Sequence, residues 1–487
     1  MNFKGKKVAI LGYGVEGKAL AKWLLKQKAQ VTICDQNPAL KLENKNLKSR
    51  LGKTYLKNLT DFAIVFRSPG ISFQTREIQQ AWKAGIEISS ATKLFFDNCQ
   101  GQIIGVTGTK GKGTAATLIY AMLKESGKRV WLGGNIGKPV IEFINEVQRG
   151  DWVVLELSSF QLQDLEKSPH IAVVLDIKED HMDYHRSFSQ YVESKKNVVR
   201  FQTKNDFAVV GADYLTSFEF GAQTQAQVYF FSRTKSVAQG CYVSWSKIFG
   251  GGGWVGEIML KTGREKISVA KTYDIQLRGL HNLENICAAS LAAYLAGAKA
   301  SAISQVVTGF VGLPHRLEKI GQKNGILFFN DSASTNPNTT AAAIAAFSEP
   351  LILILGGSDK KANFNQLAQK ICQPVRLRSG LRLRGSDSRR LTLSRESKCQ
   401  SNVKAVILMG KMASEIKNAI LNNKGQKPTI ISHIKNMKQA VEKAYKLAKS
   451  GDVILLSPAC ASFDMFKDYI DRGNQFKQEV RAIMSQK

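Results

Sequence analysis

The chain has 487 residues, which is too long for one hydrophobic core, so two to four domains are expected. Its hydrophobic content of 44% and its six tryptophans allow well-buried cores. The formal net charge of +30 fits a nucleic-acid-binding protein, an enzyme for small anionic substrates or a generally basic composition. Because the lysines are spread along the whole chain, we expect no specific nucleic-acid partner.

The cysteines and the apolar segments indicate the compartment and the fold class. Seven cysteines are scattered without C-x-x-C spacing, which is typical of free thiols in a reducing cytoplasm. No apolar run approaches a membrane span, and VAILG near the N-terminus is too short for a signal-peptide core, so we expect a cytoplasmic protein without a membrane partner. Apolar strand-like runs alternate with helical patterns, which predicts an α/β fold with parallel sheets.

The first predicted elements form a dinucleotide-type fingerprint. A strand, a glycine-rich turn, a helix and a second strand are predicted at Lys7–Leu11, 12–17, 18–28 and Gln30–Cys34. Gly12, Gly14 and Gly17 fit G-x-G-x-x-G, and Asp35 ends the second strand. The pattern predicts a diphosphate on a helix N-terminus and a hydroxyl near the acid. NAD and a nucleotide-sugar both meet these demands, and glycines used only for helix–strand packing are the alternative.

A further strand at Phe62–Phe66 ends in the turn Ser68-Pro69-Gly70, and the first domain is predicted to end near Thr92. The next predicted strand enters the stretch GVTGTKGKGT at 105–114, and a helix over 114–126 leaves it. Strand, glycine-rich loop and helix together predict a phosphate-binding loop, whose lysine, Lys112, can reach the outer phosphates. The fit to G-x-x-x-x-G-K is imperfect, because the first glycine is expected where Val106 stands. An ordinary surface turn is the alternative.

Polar residues follow the next predicted strands. Glu156 lies in the apolar run of Trp152–Leu157, where an unpaired carboxylate would cost several kcal/mol to bury. Mg²⁺ is the expected partner, and pairing with a lysine is the alternative. A strand at Ile171–Ile177 is followed by four candidates for a metal or proton-transfer site, Asp180, His181, Asp183 and His185.

Three later features have more than one explanation. Asn135 in GGNIG is either a turn residue or a ligand contact. Residues 218–276 are predicted to form β-hairpins with glycine-rich turns, the clearest being at 250–253. His281, Asn282 and Asn285 lie near a predicted helix start and could cap the helix or read a base edge.

Seven segments occur in an order that resembles the Mur ligase family. They are ELSSFQL (156–162), EDHMD (179–183), HNLEN (281–285), GLPHR (312–316), NDSASTNP (330–337), GGSDKKANF (356–364) and SPACASFDMFKDY (457–469). The first and the last are the most specific, and they are typical of the D-glutamate-adding members. The resemblance covers nearly the whole chain. It implies a Rossmann-like UDP-sugar-binding domain at 1–92, a central P-loop ATP-binding α/β domain at 93–312 and a Rossmann-like, amino-acid-binding C-terminal domain at 313–487.

The resemblance also implies the reaction. D-glutamate would be added to UDP-N-acetylmuramoyl-L-alanine in peptidoglycan precursor synthesis, with ATP forming an acyl phosphate. The implied cofactors are ATP and two Mg²⁺ ions, with a carbamylated lysine at Lys195. The implied partners are the small-molecule substrates, and the chain would be a monomer.

The family's functional residues match positions of this sequence. The implied catalytic residues are Lys112, Glu156, His181 and Lys195, and the implied metal ligands are Thr114, Glu156, His181 and Lys195. The implied ATP contacts are Gly108, Thr109, Lys110, Gly111, Lys112, Gly113, Thr114, Asn285, Arg316 and Asp331. The implied sugar-nucleotide contacts are Gly14, Val15, Asp35, Gln36, Ser68, Pro69, Gly70 and Asn135. The implied D-glutamate contacts are Lys360, Ser462, Phe463 and Tyr469.

The chain departs from the family pattern at three places. Gly113 stands where relatives have Ser or Thr, whose hydroxyl binds Mg²⁺, so Thr114 or Thr109 would have to supply it. Ala333 stands where relatives often have a lysine. The arginine-rich segment 374–401 is extra and is interpreted as a solvated surface insertion, with docking to an acidic partner as the weaker hypothesis.

Three other functions remain as alternatives. A folylpolyglutamate synthase shares the GTKGKGT loop, but the N-terminal fingerprint and SPACASFDMF argue against it. A nicotinamide dehydrogenase requires only the first fingerprint and leaves Lys112 without a role. A non-catalytic nucleotide-binding protein would account for Gly113 and Ala333.

Overall fold

A computed structural model describes residues 2–182, 184–247, 254–358, 362–373 and 402–486. Their strands are β1 Lys7–Leu11, β2 Gln30–Asp35, β3 Lys48–Leu51, β4 Ile64–Arg67, β5 Glu87–Ser89, β6 Gln102–Thr107, β7 Val130–Gly134, β8 Trp152–Glu156, β9 Ile171–Val174, β10 Phe207–Gly211, β11 Gln227–Ser232, β12 Gly240–Lys247, β13 Trp254–Thr262, β14 Glu265–Lys271, β15 Glu318–Lys323, β16 Ile326–Asn330, β17 Leu351–Gly356, β18 Val403–Met409, β19 Thr429–Ile434 and β20 Val453–Leu456.

Helices alternate with these strands through most of the chain. The helices are α1 Val15–Lys26, α2 Arg76–Lys83, α3 Ala91–Asn98, α4 Lys112–Glu125, α5 Val140–Phe143, α6 Ser159–Leu162, α7 Phe188–Arg200, α8 Leu215–Phe218, α9 Leu280–Leu295, α10 Ala300–Gly309, α11 Pro337–Ile344, α12 Asn365–Cys372, α13 Ala413–Asn422, α14 Met437–Leu447 and α15 Tyr469–Ser485. The strands form three sheets, which confirms the predicted α/β class.

The chain divides into two compact units. The first unit comprises Met1–Ser244, Glu257–Ala270 and Leu283–Thr308, and the second comprises Trp245–Gly256, Lys271–Asn282 and Gly309–Lys487. Each of the three sheets falls inside one of the predicted domain ranges 1–92, 93–312 and 313–487. The boundaries of those ranges remain predictions.

The first sheet is parallel, with strand order β3-β2-β1-β4-β5. The order reverses between β1 and β4, and ligands of such sheets bind outside the carboxyl ends of the strands at this point. The GYG turn follows β1, and the Ser68-Pro69-Gly70 turn follows β4. The topology therefore places the two predicted sugar-nucleotide segments side by side.

The second sheet has the order β14-β13-β12-β11-β10-β9-β6-β8-β7, with β6 parallel to both β8 and β9. The predicted phosphate loop follows β6, so the segments after β8 and β9 flank it. The β6 side chains Ile104 and Val106 are completely buried, as expected for a central strand covered on both faces.

The prediction of hairpins across 218–276 is partly wrong. Residues at 215–223 form α8 and a short 3₁₀ turn, and β11 pairs with β12 in parallel rather than as a hairpin. Phe230 pairs with Gly240, whose φ of +139° brings its backbone close to β11. The glycine run at 250–253 lies outside the described residues.

The third sheet has the order β15-β16-β20-β17-β18-β19. Among the described strands of this sheet, only the edge strand β15 runs antiparallel to its neighbour. Helices cover both faces, with separate buried clusters around Leu353 and around Ile354. Among the described residues, no helix has the length and apolar character needed to cross a membrane.

Candidate active site

The loop between β6 and α4 has the backbone of an anion-binding loop. Gly108 has a φ of +149° and Gly111 a φ of +86°, conformations that L side chains rarely adopt. Helix α4 begins at Lys112, two residues before the predicted start at 114, because Gly111 is its N-cap. The Nζ atom of Lys112 lies 3.1 Å from the carbonyl oxygen of Thr109, so the side chain folds back over the loop. Gly113 is buried in the first turn of α4.

Asn285 of α9 packs directly against this loop. A Cβ atom built at Gly111 would overlap its Oδ1 atom, and its side chain is almost completely buried. A larger residue is therefore disfavoured at position 111 for two reasons: its Cβ atom would collide with the Asn285 amide, and the backbone is left-handed there. The structure brings together two of the predicted ATP residues that lie far apart in the sequence.

The hydroxyl of Thr109 is engaged in fixing the loop. Its Oγ1 donates to the carbonyl oxygen of Lys178 and accepts from the backbone N–H of the same residue, both at 2.9 Å. The hydroxyl of Tyr191 lies 3.1 Å away, and burial raises the pKa of that tyrosine to about 12. These contacts tie the loop to the segment after β9. Of the two candidate hydroxyls, that of Thr109 is therefore engaged in contacts within the protein.

Lys195 of α7 lies beneath the loop and is only 1% exposed. Its Nζ atom donates to the carbonyl oxygen of Gly108 at 3.1 Å and to Oγ1 of Thr107 at 3.3 Å, and it lies 4.7 Å from the ring centroid of Tyr191. Burial lowers the pKa of Lys195 well below its usual value, and the charge of Lys112 lowers it further. These surroundings therefore shift the equilibrium of the amine toward its neutral, nucleophilic form.

Glu156 ends β8 beside the loop and is 5% exposed. Its Oε1 accepts a hydrogen bond from Nδ2 of Asn135 at 3.2 Å, and its carbonyl oxygen accepts from the backbone N–H of Asn135 at 3.0 Å. Gly134 has a φ of +93°, and a Cβ there would overlap the backbone of Glu156. The predicted metal residue and the predicted substrate residue are thus in direct contact.

The polar candidates in the segment after β9 that the structure describes lie in different surroundings. Asp180 forms an ion pair with Lys110 at 3.1 Å; burial alone would raise the pKa of Asp180, but the charge and hydrogen bond of Lys110 lower it overall. His181 is exposed with a φ of +57°, and its ring packs edge-on against Phe160 at 4.9 Å. His185 is buried, with Nε2 at 3.0 Å from Oγ of Ser159, which indicates a packing role. Asp183 lies outside the described residues.

The donors that surround the loop fit Mg²⁺ bound together with a triphosphate. Within the described ranges, no group of three or more His, Cys, Asp or Glu side chains could hold a metal ion. Mg²⁺ commonly takes one or two protein carboxylates and completes its shell with substrate phosphates and water. A buried carboxylate at Glu156 beside a phosphate loop meets that requirement.

The surroundings of the three fingerprint glycines, Gly12, Gly14 and Gly17, differ. A Cβ at Gly12 would stand 2.9 Å from Oγ of Ser68, and one at Gly17 would overlap the carbonyl oxygen of Gly12, so both glycines are explained by packing. A Cβ at Gly14 would meet nothing within 4 Å, and this residue is the N-cap of α1. Packing therefore does not account for all three glycines. The space beside Gly14, at the start of α1, is open.

The other sugar-nucleotide candidates lie around that helix start. The Oδ2 atom of Asp35 accepts from the backbone N–H of Tyr13 at 2.9 Å, which holds the glycine turn in place. Val15 is 73% exposed, and Gln36 is exposed as well. The turn that follows β4 is fixed by Arg67, a buried residue that the sequence analysis missed. A charged residue at the end of an apolar strand is the same signal that identified Glu156.

The second unit holds Asp331 directly after β16. Its Oδ2 accepts from the hydroxyls of Ser334 and Ser457, at 2.6 and 2.7 Å, and its Oδ1 accepts from the backbone N–H of Leu317 at 3.2 Å. Burial raises the pKa of Asp331 to about 6, although these hydrogen bonds lower it. The carboxylate therefore connects its own loop to the segment before β15 and to the segment after β20. Arg316, also in this unit, is exposed.

Three of the predicted D-glutamate residues lie on one segment of the second unit. Ser462 is buried, whereas Phe463 and the first residue of α15, Tyr469, are exposed. The fourth, Lys360, lies outside the described residues. Arg472, a fully buried arginine on α15, was not predicted from the sequence.

The guanidinium of Arg472 connects two loops of the second unit. It donates to Oγ and the carbonyl oxygen of Ser332, at 3.0 and 2.8 Å, and to the carbonyl oxygen of Cys460 at 3.1 Å. Burial lowers the pKa of Arg472 to about 10. This residue joins the loop after β16 to the loop that carries Ser462.

Comparison with known proteins gives matches along nearly the whole chain. The sequence model of the Mur ligase MurD-like N-terminal domain matches residues 6–90, and that of the Mur ligase middle domain matches residues 106–293. A UDP-N-acetylmuramoylalanine–D-glutamate ligase of Acetivibrio thermocellus is 36% identical over 491 residues, covering 99% of this chain and 97% of that protein. The ligase of the same name from Symbiobacterium thermophilum is also 36% identical, covering 98% of each chain.

Solved structures give the same fold at lower identity. A MurF ligase from Thermotoga maritima, crystallised with ADP, has a TM-score of 0.57 and 15% identity, covering 99% of this chain and 96% of that one. The UDP-N-acetylmuramate-alanine ligase of the same organism has a TM-score of 0.56 and 15% identity, covering 98% of this chain and 100% of that one. At such identities the likeness concerns the fold alone, whereas the full-length sequence similarity shows the family. The chain belongs to the UDP-N-acetylmuramoylalanine–D-glutamate ligases of the Mur ligase family.

Proposed function

We propose that this protein joins D-glutamate to UDP-N-acetylmuramoyl-L-alanine at the expense of ATP, in peptidoglycan precursor synthesis. The observation that carries the proposal is 36% identity to a ligase of that name along 99% of the chain. A folylpolyglutamate synthase is less well supported, because residues 6–90 match the MurD-like N-terminal domain.

The reaction forms one amide bond in two steps. An oxygen of the L-alanyl carboxylate attacks the γ-phosphorus of ATP, so that ADP leaves and an acyl phosphate forms. The amine of D-glutamate then attacks the acyl carbon, phosphate leaves and the nitrogen loses a proton. Both approaches bring negative charges together, so the protein's main task is to neutralise and orient them.

The loop after β6 would bind the polyphosphate of ATP. The N–H groups at the start of α4 would donate to the polyphosphate, and Lys112 would add a positive charge. Asn285, whose amide packs against Gly111, would contact the same polyphosphate. Glu156 and His181 would hold two Mg²⁺ ions, with Thr114 assisting, and Mg²⁺ would neutralise charge on the transferred phosphoryl group.

Lys195 would act as its carbamate. CO₂ reacts only with a neutral amine, and burial favours that form of Lys195. The product is a carboxylate on the side-chain nitrogen, and one proton is released. The lysine would thereby become an anionic oxygen donor suited to a second Mg²⁺ ion.

The substrates would occupy the remaining predicted contacts. The uridine diphosphate would lie on the open helix start at Gly14, near Asp35 and the turn at 68–70, with Asn135 nearer the reacting carboxylate. Lys360, Ser462 and Tyr469 would hold the D-glutamate carboxylates, since a lysine and hydroxyls are suitable donors to them. We propose that the enzyme works as a monomer.

The decisive experiment measures phosphate release from ATP in the presence of UDP-N-acetylmuramoyl-L-alanine. Parallel reactions contain D-glutamate, L-glutamate or no amino acid. Release that requires both the sugar nucleotide and D-glutamate is the expected result, and it would also show that Gly113 is tolerated. Absence of release while ATP still binds would contradict the proposal, and a folate acceptor would be tried next.

A further inference from the structure

Arg67 is a fully buried charge inside the first unit. It is the last residue of β4, and it forms an ion pair with Asp164, just beyond α6; the two side chains are 0% and 8% exposed. The Nη2 atom lies 2.9 Å from Oδ1, and the Nε atom lies 3.3 Å from Oδ2. The pair therefore joins the segment after β4 of the first sheet to the segment after β8 of the second sheet.

The remaining donors of Arg67 hold backbone carbonyls on both segments. Nη1 donates to the carbonyl oxygen of Ile71 at 2.7 Å and lies 3.4 and 3.5 Å from those of Pro69 and Ser68. Nη2 also donates to the carbonyl oxygen of Phe160 at 3.0 Å. A buried guanidinium deprived of such acceptors would be strongly destabilising. The turn at 68–71 therefore cannot shift relative to α6 without a large energetic cost.

Two neighbouring contacts make the same connection. Nε2 of Gln161 donates to Oε1 of Glu16 at 3.1 Å, and Glu16 lies in the first turn of α1. The hydroxyl of Tyr184 donates to the carbonyl oxygen of Ile71 at 3.4 Å and accepts from Nε2 of Gln163 at 2.8 Å. The helix start and the turn after β4 are thus both tied to segments that follow β8 and β9 of the second sheet.

We propose that Arg67 is a positioning residue for the sugar nucleotide, which keeps the turn at 68–70 in register with the segment that begins at Glu156. The inference depends on the proposed function, in which this turn contacts the sugar nucleotide and Glu156 belongs to the ATP site. Arg67 acts through the carbonyls that it holds rather than by touching a reacting atom. Lysine could not replace it, because only the planar fork of arginine serves a carboxylate and several carbonyls at once.

The test uses two conservative variants and a matched control. Arg67→Lys keeps the charge but loses the fork, and Asp164→Asn keeps an acceptor but loses the charge. The control Lys93→Gln breaks an exposed ion pair between α3 and Glu166, a residue of the same segment after α6 that carries Asp164. For each protein, kcat and KM are measured for UDP-N-acetylmuramoyl-L-alanine and D-glutamate, and calorimetry gives the Kd of ATP without the other substrates.

Arg67→Lys should raise the KM for the sugar nucleotide about tenfold or more, because a misplacement of about 1 Å can cost as much as 10²-fold. The Kd of ATP and the KM for D-glutamate should stay within about twofold, since their sites are not held by this residue. Asp164→Asn should raise the KM for the sugar nucleotide by a smaller factor. If Arg67→Lys does not fold, the result for Asp164→Asn decides whether the inference holds. Lys93→Gln should behave as wild type.

Equal changes in all three constants would reveal a general loss of structure and overturn the inference. Unchanged constants in both variants would overturn it as well, while leaving the proposed function intact. A wild-type enzyme that shows no turnover dependent on the sugar nucleotide would refute the proposed function itself, and with it this inference.

Discussion

The protonation state of Lys195 gives the sharpest prediction. A lysine with the ordinary pKa of about 10.4 is neutral in roughly one molecule in 250 at pH 8, and each unit by which the pKa falls multiplies that fraction about tenfold. Burial lowers the pKa of Lys195 well below the ordinary value, so its amine should react readily with CO₂ near neutral pH. We expect turnover to fall in CO₂-free buffer and to recover when bicarbonate is added.

Three variants separate the carbamate from the packing of this side chain. Lys195→Met fills the same space without an amine and should lower kcat by about 10²–10³-fold, the usual cost of one electrostatically stabilising group. Lys195→Ala should be as inactive, but it leaves a cavity in which a short carboxylic acid can bind and partly restore turnover. Lys196→Met is the control, since Lys196 is only half-buried and is paired with Glu193 on the helix surface.

The assay is phosphate release in degassed buffer with and without bicarbonate, combined with ¹³C spectra after labelling with ¹³C-bicarbonate. A carbamate resonance should appear in the wild type and in Lys196→Met, and it should be absent from both Lys195 variants. Full activity of Lys195→Met, together with a wild-type rate that ignores CO₂, would refute the reasoning.

Three further outcomes are expected. Lys112→Ala should reduce phosphate release to background in a folded protein, and near-normal release from a folded variant would exclude the assigned role. Gly111→Ala should weaken ATP binding more than about tenfold in calorimetry, because a left-handed φ costs a residue with a Cβ about 1–2 kcal/mol and because that Cβ would displace Asn285. Gly127→Ala introduces the same backbone strain, at a φ of +78° with nothing within 4 Å, so equal losses of affinity in both variants would contradict the explanation. Asp331, with a pKa of about 6, takes up protons in the native state between about pH 4 and 6 that the unfolded chain does not bind, so the free energy of unfolding should fall by up to about 3 kcal/mol as the pH rises through this range. In urea titrations, the free energy of unfolding of Asp331→Asn should not show this decline. If the two proteins differ in free energy of unfolding by an amount that does not vary with pH, the raised pKa of Asp331 is not the cause.

The local sequence was sufficient to predict a strand or a helix where local backbone conformation determines the element. The strand at Lys7–Leu11 has the predicted bounds. The following helix spans Val15–Lys26 instead of 18–28, because Gly14 is its N-cap and Lys28 takes a left-handed φ of +61°. Helix α4 likewise begins at Lys112, directly after the left-handed Gly111. Element types were thus predictable, and their ends shifted by two or three residues where a left-handed residue or a cap decided them.

Distant partners were not predictable from a single sequence. Arg67 stands out in the strand IVFR, but nothing local indicates that its acceptor is Asp164, 97 positions later. The parallel pairing of β11 with β12 also depends on the sheet that receives the strands, whereas turn residues alone suggested hairpins. In each case the deciding interaction joins segments whose proximity only the folded chain creates.

The two lysines at the phosphate loop differ because of their surroundings. Lys112 is half-buried at the start of α4, whereas Lys195 is enclosed below the loop. The positive charge of Lys112 disfavours a second cation at Lys195, while Glu156 and Asp180 partly favour one. A carbamate reverses the sign of the first interaction, because an anion at Lys195 is attracted by Lys112. The repulsion by Lys112, which adds to burial in lowering the pKa of the amine, would therefore become an attraction that stabilises the proposed carbamate.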